Sequence, residues 1–263
     1  MKYEVSLCSV PVKSDLTNPH YWSERQKQLP LMEISRAYIP EWLYVIEPFL
    51  REYEGKTFME LGCSPGHASA LICSRIRFIP YGIDFSPRAH LYKENLAKIG
   101  QNDATLIISD IRDFKSNDNF DVVCSFGLIE HFRDPTEMMF HHDRLVRTGG
   151  LIIMVIPNFR YIQWLYHFLF DRKDLSIHNT RMMNLNTFTD FSEKMNHEIL
   201  YLDYVGRFRL WNVDITGTKV IVYGRRMLSR IVREFSNRIL SKVFAANSKY
   251  YAPWIVYIGK KSN

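Results

Sequence analysis

Two acidic residues stand where carboxylates could grip a single ligand. Glu60 precedes the glycine-bearing turn in Thr57-Phe58-Met59-Glu60-Leu61-Gly62-Cys63-Ser64-Pro65-Gly66-His67-Ala68-Ser69. Gly62 and Gly66 carry no Cβ, so the chain there can approach a ligand closely. A helix starting after Gly66 would offer unpaired N–H groups to a negative group such as a carboxylate. A phosphate would gain nothing from Glu60, whereas an ammonium group would. Asp84 closes the next apolar run, Tyr81-Gly82-Ile83-Asp84-Phe85-Ser86, where a carboxylate can accept both hydroxyl protons of a ribose. The pair describes a ligand with an amino-acid head and a nucleoside. A dinucleotide dehydrogenase could use a similar turn, and the two acids could instead be ordinary helix-start and strand-end carboxylates.

Histidines come next. His131 follows the apolar run Phe120–Ser125, and His178, beside Asn179, lies in a polar stretch downstream. Either imidazole could remove a proton from a substrate or orient it, and either could equally be a structural histidine bonded to backbone. His141-His142-Asp143 invites a metal reading, but neighbouring helical residues point in different directions and share one ion poorly, so no metal is expected. The cysteines Cys8, Cys63, Cys73 and Cys124 form no CxxC pair, which favours a reducing cytoplasm over a disulfide or zinc framework.

These residues need a scaffold that carries them to one edge. Short apolar runs at Thr57–Leu61, Phe78–Ile83, Ala104–Ile108, Phe120–Ser125 and Gly150–Ile156 predict strands. Amphipathic stretches at Gly66–Arg77, Arg88–Ile99 and Thr136–Arg147 predict the helices between them, the last stopped by Gly149-Gly150. That rhythm is the βαβ repeat of a parallel α/β sheet. Tyr38–Tyr53 predicts a helix at the sheet edge, with Trp42, Ile46, Phe49 and Tyr53 on one side. Phe159–His197 breaks the rhythm and reads as a helical cap, whose aromatics Phe159, Tyr161, Trp164, Tyr166, Phe168 and Phe170 are expected partly to pack and partly to line a pocket. Strand character returns at Glu198–Val205 and Pro253–Lys260, predicting an antiparallel edge hairpin and seven strands in all. Between them Gly224–Ala246 is a basic amphipathic helix, with Leu228, Ile231, Val232, Phe235, Ile239 and Val243 at helical spacing among Arg225, Arg226, Arg230, Arg233 and Arg238. A solvated face is the plain reading of its charges; docking on a membrane surface or on nucleic acid through 225–242 is the alternative.

Composition sets the outer limits. With 46% apolar and 24% charged residues the chain can bury a sizeable core. A net charge of +6, from 34 basic and 28 acidic residues, favours anionic partners without choosing among them. The N-terminal residues lack the apolar core of a secretory signal. Tyr161–Phe170 is about half of the roughly 20 residues a membrane-spanning helix requires.

Taken together, the segments from Thr57 to Asn158 resemble the class I S-adenosylmethionine-dependent methyltransferases. Glu60-Leu-Gly-Cys-Ser-Pro-Gly66 is similar to the first family motif and Gly82-Ile-Asp84-Phe-Ser-Pro87 to the second; Ser109-Asp110-Ile111-Arg112 is similar to the adenine-contacting turn. Phe120 to Pro135, with Glu130-His131, and Leu145 to Asn158 are similar to the fourth and fifth. Ser64 departs from a position where the family often has glycine. The resemblance implies a Rossmann-like, seven-stranded, mostly parallel sheet with helices on both faces and S-adenosylmethionine as cofactor. It implies cofactor contacts from Glu60, Gly62, Cys63, Ser64 and Gly66 at the methionine end, Asp84 and Phe85 at the ribose, Asp110 and Ile111 at the adenine, and Phe126 and Gly127 near the sulfonium. His131 and then His178 are the candidate catalytic residues.

The chain is expected to form a single domain over 1–263, with a helical region at 1–55, a cofactor-binding core at 56–158, the cap at 159–197 and the late strands at 198–263. The fourth motif has neither an Asn/Asp-Pro-Pro-Tyr/Phe run nor a Pro-Cys nucleophile, so base methylation is disfavoured. The Glu130-His131 and Pro157-Asn158 forms resemble the branch acting on small molecules, and within it the bacterial enzymes of glycan and polysaccharide biosynthesis. O-methylation of a sugar or other hydroxylated metabolite is the expected reaction. An RNA methyltransferase and a non-catalytic cofactor-binding subunit are the alternatives.

Overall fold

A computed structural model describes residues 16–17, 21–22, 24, 39–116, 119–211 and 220–262. Most of the expected N-terminal helical region, and Cys8 with it, lie outside the described residues. The elements run α1 (Glu41–Arg51), β1 (Thr57–Leu61), α2 (His67–Cys73), β2 (Ile79–Asp84), α3 (Leu91–Ala97), β3 (Thr105–Ile108) and β4 (Phe120–Phe126). After a single 3-10 turn at Ile129–His131 come α4 (Pro135–Leu145), β5 (Val146–Pro157), α5 (Tyr161–Phe170), α6 (Arg172–Ser176), α7 (Leu185–Met195), β6 (His197–Val205), α8 (Val220–Val243) and β7 (Trp254–Lys261).

The seven strands form one sheet in the order β3-β2-β1-β4-β5-β7-β6. β1 to β5 are parallel, and β7 runs antiparallel between β5 and β6. Helices on both faces leave strands such as Leu151–Ile156 buried on each side, which explains their unbroken apolar runs. One buried cluster joins Trp42, Leu43, Ile46 and Leu50 to Phe58, Val122 and Val256; the other joins Met59, Leu61 and Val123 to Met138, Phe188 and Tyr257. The strand order reverses between β1 and β4, and in such sheets ligands bind at the carboxyl ends of the strands flanking that point.

The expected seven strands and the late antiparallel hairpin carrying the basic helix are present. Three local expectations change. The Gly149-Gly150 pair does not stop α4, which ends at Leu145 as β5 begins at Val146. The register slips between Phe120 and Val122, and a Cβ on Gly150 would meet Val146 Cγ2 at 2.6 Å and the Asp121 carbonyl at 2.8 Å, so glycine serves a bulge there. Arg147 consequently sits in β5, its Nε 2.7 Å from Asp121 Oδ1. Helix α1 covers the sheet's face rather than its edge, Trp42 lying 4.6 Å from the Phe126 ring. The cap is helical, but α7 belongs to the sheet: Phe188 stacks on Tyr257 at 5.6 Å and Ser192 hydrogen-bonds the Tyr257 hydroxyl at 2.7 Å. Among the described residues no helix is long and apolar enough to cross a membrane.

Candidate cofactor and active site

At the carboxyl end of β1 the chain turns through Gly62 (φ +69°) and Gly66 (φ +94°). Only glycine adopts these values cheaply. A Cβ on Gly66 would also press on the Tyr92 backbone at 2.8 Å. Asp84, at the end of β2, is tied to this turn: Oδ2 accepts from the Ser64 N–H at 3.0 Å and Oδ1 from the Ser86 N–H at 2.7 Å. Burial raises the Asp84 pKa, and those two bonds work against it.

A cavity opens beyond, lined by Gly62, Ser64, Asp84, Phe85, Asp110 and Ile111 from the turns after β1, β2 and β3. Phe126, Gly127, Leu128, Phe132 and Met138 close it on the β4 side. Asp110 is clamped by Arg112, whose Nε lies 2.9 Å from Oδ1; burial works upward on this carboxyl, but the Arg112 bonds outweigh it and hold the pKa low. Eight of the eleven expected cofactor residues thus share one cavity, and three do not line it.

Glu60 faces the start of α2, where Oε2 accepts from the Ser69 N–H at 3.2 Å and bonds the Ser69 hydroxyl. Burial, with the Asp84 charge adding to it, pushes Glu60 up to about 8. The Cys63 thiol packs into the core, since a Cβ on Gly82 would meet its Sγ at 2.6 Å. Gly66 shapes the turn from behind.

His131 is buried beside the cavity rather than lining it. Its Nδ1 lies 2.8 Å from the Ile177 carbonyl, and its ring contacts Trp22 edge-on at 4.8 Å and His178 at 4.6 Å. The two expected catalytic histidines therefore meet. Next to them Glu130 is fully buried, its carboxyl pushed up to about 8 by desolvation. His142 and Asp143 diverge as expected: His142 Nε2 reaches Ser125 Oγ at 2.9 Å, and Asp143 Oδ1 reaches His197 Nε2 at 2.8 Å.

Sequence reasoning did not single out Trp22, Arg112, Leu128, Phe132 and Met138 as cavity lining, nor Glu130 as a site residue. Leu128 and Phe132 flank the Glu130-His131 pair at helical spacing, which is a usable signal. Trp22 gives none.

The methyltransferase domain family matches residues 34–234. The chain belongs to that family. Its S-adenosylmethionine-dependent class is the one the motifs resemble, and the methyltransferase fold is shared with solved members: an S-adenosylmethionine-dependent methyltransferase of Thiobacillus denitrificans in complex with S-adenosylhomocysteine superposes with a TM-score of 0.56 at 15% identity, covering 93% of this chain and 99% of that one. A ubiquinone biosynthesis O-methyltransferase of Nitrosomonas europaea is 28% identical over 149 residues, 56% of this chain and 61% of the relative. A tRNA U34 carboxymethyltransferase of Shewanella halifaxensis is 24% identical over 137 residues, 51% of this chain and 41% of the relative. The chain thus spans less than two thirds of either relative's length.

The cavity suits the cofactor of the methyltransferase class. Its polar end holds the Ser64 hydroxyl, buried and without a hydrogen-bond partner, beside the Asp84 carboxylate. Its other end offers the apolar walls of Ile111, Phe132 and Met138 that a flat adenine needs. Serine in place of the glycine frequent in the motif puts a hydroxyl on the turn that lines the cavity.

Proposed function

We propose that this chain methylates a hydroxyl oxygen of a small acceptor, a sugar, glycan or other hydroxylated metabolite. S-adenosylmethionine supplies a methyl group on a positively charged sulfur, already a good leaving group. Asp84 would take the ribose hydroxyls, Ser64 and Gly62 the amino-acid end, and Asp110 with Ile111 the adenine. Phe126 and Gly127 would border the methyl. Alignment of the acceptor and exclusion of water are then the main tasks of the protein.

The observation that carries the oxygen-acceptor reading is the buried imidazole pair beside the cavity, where His131 packs on the lining residue Trp22 and on His178. A hydroxyl is a poor nucleophile until its proton is leaving. A carbonyl only accepts, so the Ile177 contact puts the hydrogen on His131 Nδ1 and makes Nε2 the basic nitrogen of the ring. The O-methyltransferase among the relatives supports the same acceptor atom. Labelled methyl transfer across nucleotide sugars, glycans, quinones and RNA is the test. His131→Ala should lower turnover by roughly 100-fold or more while leaving S-adenosylhomocysteine affinity nearly unchanged. Normal turnover in that variant removes the imidazole from the chemistry. RNA as the one labelled product would replace the small-acceptor reading, and cofactor binding without transfer to any acceptor would favour a binding subunit.

We further infer that α8 rests on an anionic lipid surface. The helix buries Ser229 and half-buries Val232 and Leu240 against Tyr166, Phe208 and Leu210. Its opposite face carries Tyr223, Met227, Ile231 and Phe235, the last 66% exposed. Leu165 and Leu169 of the neighbouring α5 are exposed as well. Five arginines and Lys242 against the single Glu234 in residues 225–242 supply the complementary charge. Co-sedimentation should retain the protein on vesicles with acidic phospholipid but not on purely zwitterionic ones, and Ile231→Glu with Phe235→Glu should release it. A dimer in solution that the same pair of substitutions splits would assign the face to a second copy instead.

A further inference from the structure

A second hollow lies in the cap, lined by Arg160, Tyr161, Trp164, Thr180 and Arg181. The first three stand at the start of α5, and the other two in the loop between α6 and α7. That loop is docked on the turn after β4: the Asn179 N–H donates to the Glu130 carbonyl at 2.7 Å, and Asn179 Nδ2 donates to the carbonyls of Phe132 at 3.1 Å and Arg133 at 3.0 Å. Tertiary folding thus sets two arginines around one space.

Their charge is not neutralised in place. Among the described residues no carboxylate pairs with Arg160 or Arg181, and no acid lines the hollow. Arg160 Nη1 reaches the Met183 carbonyl at 3.5 Å, a long contact that engages one of the five guanidinium donors, and its Cζ stands 5.2 Å from the centre of the Tyr161 ring. Arg181 is exposed. Lys249 brings a third positive charge to the neighbourhood, its Nζ 5.0 Å from the Tyr250 ring, which in turn packs edge-on against Tyr161 at 5.0 Å. Like charges gathered without an acid repel one another, and a bound anion removes that cost.

The aromatic side is held in a fixed pose. Tyr161 enters α5 at φ +51°, left-handed backbone that side chains other than glycine seldom adopt, and strain of this kind gathers at ligand sites. Trp164 stacks on Phe168 at 4.8 Å with the planes 13° apart, so one face is covered while the residue stays 42% exposed. An indole so placed offers a platform to a ring.

We propose that this hollow binds the phosphate of a phosphorylated small acceptor, with Arg160 and Arg181 on the phosphate and Trp164 against the ring that carries it. One guanidinium can satisfy a carboxylate through two parallel bonds, whereas a phosphate monoester has three acceptor oxygens and roughly two negative charges, which call for a second cation. This rests on the oxygen-acceptor reading and narrows it to phosphorylated acceptors. The hollow and the imidazole pair are neighbours: Phe159, next to Arg160, packs edge-on against His178 at 4.5 Å, and Thr180 is two residues beyond His178.

Phenyl phosphate is the probe, titrated by calorimetry into the full chain with saturating S-adenosylhomocysteine, so that the cofactor cavity is filled. One site per chain is expected, weakened at least tenfold in Arg160→Gln and in Arg181→Gln, with S-adenosylhomocysteine affinity unchanged in both. Inorganic phosphate should bind more weakly than phenyl phosphate, and Trp164→Ala should remove that difference. A probe that does not bind, binding that survives both arginine substitutions, or benzoate bound as tightly as phenyl phosphate overturns the assignment. Labelled methyl transfer separates the two readings. Probe binding of the expected pattern in a chain that methylates no hydroxyl would uphold the phosphate site and sink the oxygen-acceptor reading; transfer to neutral sugars by a chain that binds no probe would do the reverse.

Discussion

Calorimetry with S-adenosylhomocysteine should show one site per chain, and Asp84→Ala should weaken it by roughly 1–3 kcal/mol, about ten- to a hundred-fold, through loss of charge-assisted bonds to the ribose. The same carboxylate also holds the Ser64 and Ser86 N–H groups, so the variant loosens the turn as well. Asp84→Asn keeps an acceptor oxygen and should fall between. Gly62→Val should do more damage than either. Its φ of +69° is one a β-branched residue does not adopt, and a Cβ would stand 2.8 Å from Leu128 Cδ1, at the cavity wall. Tighter binding of a nicotinamide dinucleotide than of S-adenosylhomocysteine would defeat the cofactor assignment.

Thermal stability of the ligand-free chain should fall as pH rises from about 5 to about 8.5. Glu60 titrates at about 8 in the folded chain against 4.5 for the free side chain. Between those values the folded state holds a proton that the unfolded state has released. The stabilisation is complete below the lower value and is lost as pH climbs through the upper one. The groups facing Glu60 do not cancel the shift: the Ser69 bonds work against it but are outweighed by burial, while Asp84, Cys63, Cys73, Cys124 and Tyr92 offer no positive charge. The effect is on the order of a few kcal/mol across the range. Glu60→Gln, which keeps a carbonyl oxygen for the Ser69 N–H, should flatten that part of the profile and raise the melting temperature at pH 8. A variant whose profile matches the parent's would show that Glu60 is ionised throughout.

The sheet was readable because its physics is local. Each strand from Thr57 to Pro157 is an apolar run bounded by a turn, and the residues that line the cavity sit where such runs end. Glu60 was harder. A carboxylate before a glycine turn looks the same in sequence whether it faces a ligand or the following helix, and the Ser69 side chain decides the matter in three dimensions. Glu130 and His178 could not be paired from sequence because the Asn179 docking that joins them is tertiary. Helix α8 exposes the deepest ambiguity: its periodic Met227, Ile231 and Phe235 declare an amphipathic helix, but periodicity does not say which face meets the core. Here the smaller Ser229 and Val232 face inward and the larger apolar residues face out. The Gly149-Gly150 pair misled because a bulge and a helix stop both call for glycine.

The closing hairpin has an evolutionary reading. Val205 pairs with Trp254 at its end, and a Cβ on Gly206 would touch Pro253 at 2.9 Å, so the chain leaves and rejoins the sheet at a single point. Everything from 207 to 252, α8 included, is in effect one large loop whose ends are already closed. Lengthening such a loop costs little, about 0.6 kcal/mol for each doubling. A cassette within that loop can be enlarged at little cost to the register of β6 and β7, provided that the Lys249 and Ala252 carbonyls, which accept from Asn158 Nδ2 at the end of β5, are kept. The fold thereby separates a cleft set by the turns after β1, β2 and β3 from a port through which new surfaces can be grafted.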